Sequence, residues 1–305
     1  MPGAAAATLA AVARPSADVV VPFRGTAAEL DELRRALSSL ELDPGDSLVV
    51  VDNTPGRAAA DEPGEPQIAV LSAATVASPG FARNRGAQGG SAAWIVFFDA
   101  DTIPVPDLLD RYFDPLPRER TALLAGGVLD EAVPPDGRPV ARYAHIRGVM
   151  AQDNTFGLGE WSFPQTANAA CRRTAFDAAG GFREDIRAGE DADLTFRMRA
   201  AGWEVERREA AAVVHRSRQT VRGFVAQKLN HGAGGAWLAD RYPGTFPPRR
   251  RPGLVWWGVR TLAGGLAGAA RHRERDRVLW AVFEPLEHLS YEFGRSLSNH
   301  DRRRR

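Results

Sequence analysis

A parallel α/β sheet covered by helices on both faces is the fold class this sequence predicts, and two observations carry it. Short β-branched runs alternate with segments of helical periodicity through the first third of the chain. The runs are also apolar nearly throughout rather than at every second position, as expected of strands buried on both faces.

The elements follow in order. Asp18-Val19-Val20-Val21 is a strand that Pro22 is expected to end. Thr26 can cap a helix, with Glu29 three residues on as in a capping box, and Leu30, Leu33, Leu37 and Leu40 then form one apolar stripe. After the turn at Pro44-Gly45, Leu48-Val49-Val50-Val51 is a second strand. Asp61 to Pro66 reads as a loop, Ile68 to Leu71 as a third strand, and Ala82 to Ala92 as a helix. Trp94-Ile95-Val96-Phe97-Phe98 is the clearest strand. The second half is less regular. Pro134 to Gly137 is a turn, and Gln152 to Pro164 a loop rich in Gly and aromatics. Glu190-Asp191-Ala192-Asp193 precedes a helix over Leu194 to Ala201 that Gly202 stops. Short strands are expected around Val205 and over Ala211 to Val214. No internal repeat is visible. Beyond Pro243 the composition turns to Pro, Arg and Trp, which divides the chain into an Ala-rich leader (1–16), a catalytic domain (17–244) and a helical C-terminal appendage (245–305).

The 305 residues are 44% hydrophobic and 25% charged, with a formal charge of +1. That is a globular composition, and nothing in its charge balance asks for nucleic acid. Cys171 is the only cysteine, which excludes an internal disulfide framework and a thiolate zinc site and fits a reducing, cytoplasmic compartment. The Ala-rich start has no basic segment before an apolar run, so a disordered leader is expected there rather than a signal peptide. No apolar stretch reaches the ~18–20 residues that a membrane span needs.

In open α/β sheets ligands bind beyond the carboxyl ends of the strands. Here those ends carry Pro22-Phe23, Asp52-Asn53 and Asp99-Ala100-Asp101. In an extended segment Asp99 and Asp101 project to one side, where two carboxylates repel unless a cation lies between them. A hard divalent ion, Mg²⁺ or Mn²⁺, would satisfy them and leave positions open for substrate phosphates. Solvated loop acids or N-caps are the plainer alternative. For Glu190, Asp191 and Asp193 the plain role is to complement a helix N-terminus, yet three acids in four residues exceed what capping needs. One of them could deprotonate a hydroxyl as general base.

Together these segments resemble the family 2 glycosyltransferases. The matching pieces stand in the family's order: Val19-Val20-Val21-Pro22-Phe23, Val50-Val51-Asp52-Asn53, Ala82-Arg83-Asn84-Arg85-Gly86, Phe98-Asp99-Ala100-Asp101, and Gly180-Gly181-Phe182 leading to Gly189-Glu190-Asp191. The resemblance, over roughly Asp18 to Leu238, implies a Rossmann-like nucleotide-diphospho-sugar transferase (GT-A) fold with a mostly parallel central sheet. It implies a metal-assisted, inverting transfer from a nucleotide-sugar donor, by family habit a UDP-sugar, to a small-molecule, glycan or lipid-linked acceptor. Carried over, it puts Pro22 and Phe23 in the nucleotide pocket, Asp52 on the base and Arg83 near the nucleotide or its phosphates. Asp99 would contact the ribose or sugar, Asp101 the Mn²⁺ or Mg²⁺, and His215 is a further metal candidate, although a lone histidine at a strand end is more often structural. Asp191 would be the general base, with Glu190 orienting the acceptor. Arg216 and Arg218 could neutralise diphosphate or be ordinary surface residues.

The chain also departs from the family. Arg24-Gly25-Thr26 replaces its usual turn, and the Gln-x-x-Arg-Trp motif of processive synthases is absent near Gln227 to Trp237, which favours addition of a single sugar. In the tail, apolar residues over Gly253 to Ala270 and from Leu279 to Leu297 recur near helical spacing, flanked by arginines. They suggest either helices packed on the catalytic domain or peripheral contact with the inner face of a membrane. Two other functions compete. A sugar nucleotidyltransferase would share the sheet and a metal acid but wants a Gly-rich triphosphate loop, where only Arg24-Gly25 stands. A catalytically inactive protein would bind nucleotide sugar and transfer nothing.

Overall fold

The computed structural model describes residues 14–56, 68–246, 253–272 and 274–300. The Ala-rich start up to residue 13, the Asp61–Pro66 loop and the Arg302–Arg305 run lie outside the described residues. The first half builds as its apolar runs demand. β1 (Ala17–Phe23) leads into α1 (Ala27–Leu37), where Thr26 and Glu29 form the expected capping box and Leu30, Leu33 and Leu37 are buried. β2 (Ser47–Asp52), β3 (Ala69–Ser72), α2 (Pro79–Gln88) and β4 (Trp94–Phe98) follow. β1 continues through Pro22 instead of ending there. Its pairing with β4 stops at Val20, so the missing N–H of Pro22 costs no ladder bond on that side. α2 starts ahead of Ala82 because the Ser78 side chain accepts from the Phe81 N–H and Pro79 takes the first helical position, both natural helix openings.

The second half continues with β5 (Thr102–Pro104), α3 (Leu108–Tyr112), β6 (Thr121–Asp130), α4 (Pro139–Arg147) and α5 (Asp153–Phe156). Then come β7 (Asn168–Arg172), α6 (Arg173–Ala179), α7 (Glu190–Ala200) and β8 (Glu204–His215). The two short strands expected around Val205 and Ala211 are one strand, β8. Its pairing with β6 slips between Gly126 and Gly127, where Arg208 and Ala212 become successive partners.

The described strands form one sheet in the order β3-β2-β1-β4-β7-β6-β8-β5. The pairs β1·β2, β1·β4, β2·β3 and β6·β8 are parallel, whereas β4·β7, β6·β7 and β5·β8 are antiparallel. Period-two alternation divides the core. Val19, Val21, Val96 and Phe98 pack with Leu33 and Leu37 on one face. Val20, Ile95 and Phe97 pack with Phe176, Phe182 and Met198 on the other.

Among the described residues three long helices follow: α8 (Val221–Arg241), α9 (Leu254–His272) and α10 (Arg275–Gly294). α10 lies along α8 and reaches α4. There the Tyr143 ring meets Phe224, Trp280 and Phe283 at centroid distances of 5.4–5.9 Å, and the Tyr143 hydroxyl and Lys228 both bond Glu287. α9 packs chiefly on α10. No helix among the described residues is long and apolar enough to cross a membrane.

Candidate active site

The carboxyl ends of β1, β2 and β4 open into a cleft of about 630 Å³ lined in part by Pro22, Phe23, Asn53, Asp99, Asp101 and Arg218. The acids at its floor are held by two separate ion-pair systems.

Arg83, on α2 and only 4% exposed, joins the two acidic clusters that are remote in sequence. One guanidinium nitrogen donates to Asp99 Oδ1 at 2.7 Å and another to Glu190 Oε1 at 2.8 Å. One cation thus serves two carboxyl groups. Burial pushes the Asp99 pKa up, and Asp101 adds to the rise against the opposing pull of Arg83.

Asp101 belongs to the second system. Antiparallel β5·β8 pairing sets Thr102 against His215, and parallel β6·β8 pairing sets Asp130 against the same His215. The imidazole therefore lies between two carboxylates. Its Nε2 is 3.7 Å from Asp101 Oδ2, and its Nδ1 is 3.1 Å from Asp130 Oδ1. Asp130 is held in turn by the Ser217 hydroxyl, which donates to Oδ1, and the Met150 N–H, which donates to Oδ2. Arg218 approaches Asp101 Oδ2 at 3.2 Å. Burial opposes a charge on His215, but Asp101 and Asp130 outweigh it and raise its pKa to about 9. Burial likewise opposes a charge on Asp101, and His215 and Arg218 prevail to lower its pKa.

The donor atoms suit a divalent ion. A carboxylate oxygen and an imidazole nitrogen face each other, and the far nitrogen of the ring rests on a carboxylate, the usual support of a metal-binding histidine. Among the described residues no third histidine, cysteine or carboxylate completes a cage. An ion held here would take its remaining ligands from water and substrate, as ions at phosphate sites do.

The second acidic cluster does not precede its helix; it forms the first turn of α7. Gly189 starts that turn at φ +87°, and each acid then has its own task. Asp193, 0% exposed, accepts from Arg197 and from the Tyr242 hydroxyl, so it fastens α7 to the end of α8. Glu190 is spent on Arg83. The Asp191 carboxylate accepts from the Ala192 N–H. Burial, with Glu190 adjacent, raises its pKa to about 7. A carboxyl poised near neutrality is suited to accept a proton.

The structure thus brings Asp99, Asp101, Arg83, Glu190, Asp191 and His215 into one region, with Pro22 and Phe23 on the cleft wall. Asp52 is 4% exposed, and its carboxylate accepts from the Thr54 N–H. Its neighbour Asn53 is the β2 residue on the cleft, while the Asn53 amide donates to Ala73 O and Val76 O. Arg83 meets carboxylates rather than open cleft. Arg216 pairs with Glu32. Sequence reasoning missed Asp130, although an acid ending an apolar run was the signal that had found Asp99. The small residues Ala125-Gly126-Gly127 within that run hid the strand.

Residues 94–285 match the family described as "Glycosyl transferase family group 2". The chain is 30% identical over 267 residues to proteins named "Pre-mycofactocin glycosyltransferase" from two strains of Mycobacterium tuberculosis. The alignment covers 83% of this chain and 54% of theirs, so the chain spans about half the length of the curated relatives it matches. Among solved structures, a mannosyltransferase from Pyrobaculum calidifontis in complex with GDP-Man and Mn²⁺ superposes with a TM-score of 0.56 at 16% identity, covering 91% of this chain and 86% of that one. GalNAc-T7 with UDP, GalNAc and Mn²⁺ superposes with a TM-score of 0.51 at 13% identity, over 75% and 50% of the two chains.

Proposed function

The chain belongs to glycosyl transferase family group 2 and has the type A glycosyltransferase fold, and from that premise we propose that it transfers one sugar from a nucleoside-diphosphate sugar to an acceptor hydroxyl. The observation that carries the proposal is Arg83 clamped between Asp99 and Glu190. It ties the donor-side acids at the end of β4 to the acids opening α7, so both halves of a transfer reaction share one floor.

In this proposal Pro22, Phe23 and Asn53 line the nucleotide end of the cleft, with Asp52 behind Asn53, and Asp99 faces the ribose or sugar. Asp101 and His215 hold Mn²⁺ or Mg²⁺, which when bound neutralises the donor's diphosphate. Arg218, now paired with Asp101, is placed to turn towards that diphosphate. Asp191 accepts the proton of the acceptor O–H as its oxygen bonds to the anomeric carbon. The bond from that carbon to the diphosphate oxygen breaks in the same step, and the nucleoside diphosphate leaves with the electron pair. One displacement inverts the anomeric centre. A UDP-sugar is the expected donor, and a small molecule, a glycan or a lipid-linked sugar the expected class of acceptor.

Calorimetric titration with a panel of UDP- and GDP-sugars, with and without Mn²⁺, tests the donor site. Wild type should bind one donor in a metal-dependent way, and Asp101→Ala should lose that dependence. Equal affinity of wild type and variant under both conditions removes Asp101 from metal binding. No binding of any nucleotide sugar would remove the donor class altogether.

A further inference from the structure

We propose that α9 is an interfacial helix that lies on an anionic lipid surface. Its inner side is small and closely packed: Gly258 approaches Leu289 and Pro285, Gly265 approaches Ala281, and Ala269 is buried. Trp257 turns to His288 of α10, with ring centroids 5.0 Å apart. The opposite side packs against nothing described and is apolar. Val255 and Trp256 are 69% and 70% exposed, Val259 is 53% exposed, and Leu262 and Leu266 are exposed along the same helix. The surface between these side chains is filled by exposed Ala263, Ala267 and Ala270. Val278 and Val282 extend it onto α10. An apolar face running from Val255 to Ala270, about 24 Å at 1.5 Å per residue, is more than scattered surface hydrophobes provide.

Charge selects the occupant. α9 contains no Asp or Glu. Arg260 and Arg271 are exposed beside the apolar face, and Arg275 is exposed at the start of α10, where Arg277 pairs with Glu274. The sequence adds Arg249-Arg250-Arg251 before α9 and Arg273 after it. Two copies of the face meeting each other would bring Arg260 and Arg271 together with no acid on α9 to answer them, whereas anionic headgroups neutralise them while the acyl boundary takes the apolar stripe. Trp256 has the amphipathic ring favoured at such boundaries. The helix would lie on the surface, since it is not apolar enough to span it. None of this depends on sugar transfer.

Co-sedimentation of the full chain with vesicles tests the proposal, comparing phosphatidylcholine alone with phosphatidylcholine mixed with phosphatidylglycerol. Wild type should bind the mixed vesicles, bind the neutral ones far more weakly, and release with salt. Arg260→Gln with Arg271→Gln should weaken binding roughly thirtyfold at two lost headgroup contacts, and Val259→Glu with Leu266→Glu should abolish it. Quenching of tryptophan fluorescence by brominated acyl chains, lost in Trp256→Phe, provides a second reading in a conservative variant. An unchanged melting temperature shows that each variant is folded. Absence of vesicle binding, equal binding to both compositions, or a concentration-dependent dimer that Val259→Glu with Leu266→Glu dissolves would each overturn the proposal.

Discussion

Asp130 shows what one buried carboxylate does at a distance from any substrate. It fixes the Nδ1 side of His215 and so leaves Nε2 towards Asp101. An amide in its place can donate as well as accept, which removes the preference for that tautomer. Asp130→Asn should therefore weaken Mn²⁺ affinity about 10- to 100-fold, read by electron paramagnetic resonance titration. Wild-type affinity in a folded variant would limit Asp130 to a structural role. Asp191 makes a different prediction. Its pKa of about 7 means that a base here gains its active, deprotonated form as pH rises, so kcat/KM should climb through neutrality and level off above it. Asp191→Asn should bind donor normally and turn over about 10²–10⁴-fold more slowly; full turnover would exclude it as base. The same shift affects stability. The folded chain holds this proton more tightly than an unfolded carboxyl with a pKa of about 3.9, so its contribution is fully present below that value and is lost as pH rises to about 7. Asp99, Asp101 and Asp191 were legible because acids stood out after an apolar strand or in a dense cluster. Their division of labour was not, since it depends on Arg83 and Asp193 partners that lie far along the chain.

At the scale of elements, α7 depends on its starting residue. Gly189 has φ +87°, and an added Cβ would stand 3.0 Å from Leu238 Cδ1. Gly189→Ala should cost about 1–2 kcal/mol for the left-handed conformation alone, measured by urea denaturation. It should also slow transfer while sparing donor affinity, because the turn that carries Glu190 and Asp191 must shift. Unaltered turnover would show that α7 tolerates the displacement. α1 and β4 were readable from local signals, a capping box and a five-residue apolar run. β6 and β7 were not, because Ala and Gly replace the β-branched residues that mark a strand. Their strand conformation comes from neighbours already in the sheet, a tertiary influence that overrides propensity.

Across the whole molecule, the regular parallel half and the mixed half meet at β4·β7, and Asn168 at the start of β7 stitches the mixed half together. Fully buried, it accepts from the Tyr112 hydroxyl of α3 and donates to Gly127 O of β6 and Ala211 O of β8. The Gly126-Gly127 pair makes room for it, since a Cβ on Gly126 would lie 2.3 Å from its amide nitrogen. Asn168→Ala would strand a buried hydroxyl and two carbonyls, at a cost of about 2–4 kcal/mol. Chemical denaturation checks this, and a loss below about 1 kcal/mol would mean that other groups or water take over those bonds.

The sequence by itself determined the α/β class and the three strand ends that face the cleft, with the acids that stand there, because periodicity and strand-end placement are local properties. Only the tertiary structure decided how those acids are paired. Arg83 joins Asp99, 16 residues along the chain, to Glu190, 107 residues along it, and Asp101 and Asp130 share His215 because β5 and β6 both pair with β8. Such charges acquire their partners, and with them their pKa values, only when the sheet brings distant strand ends together and excludes water from between them.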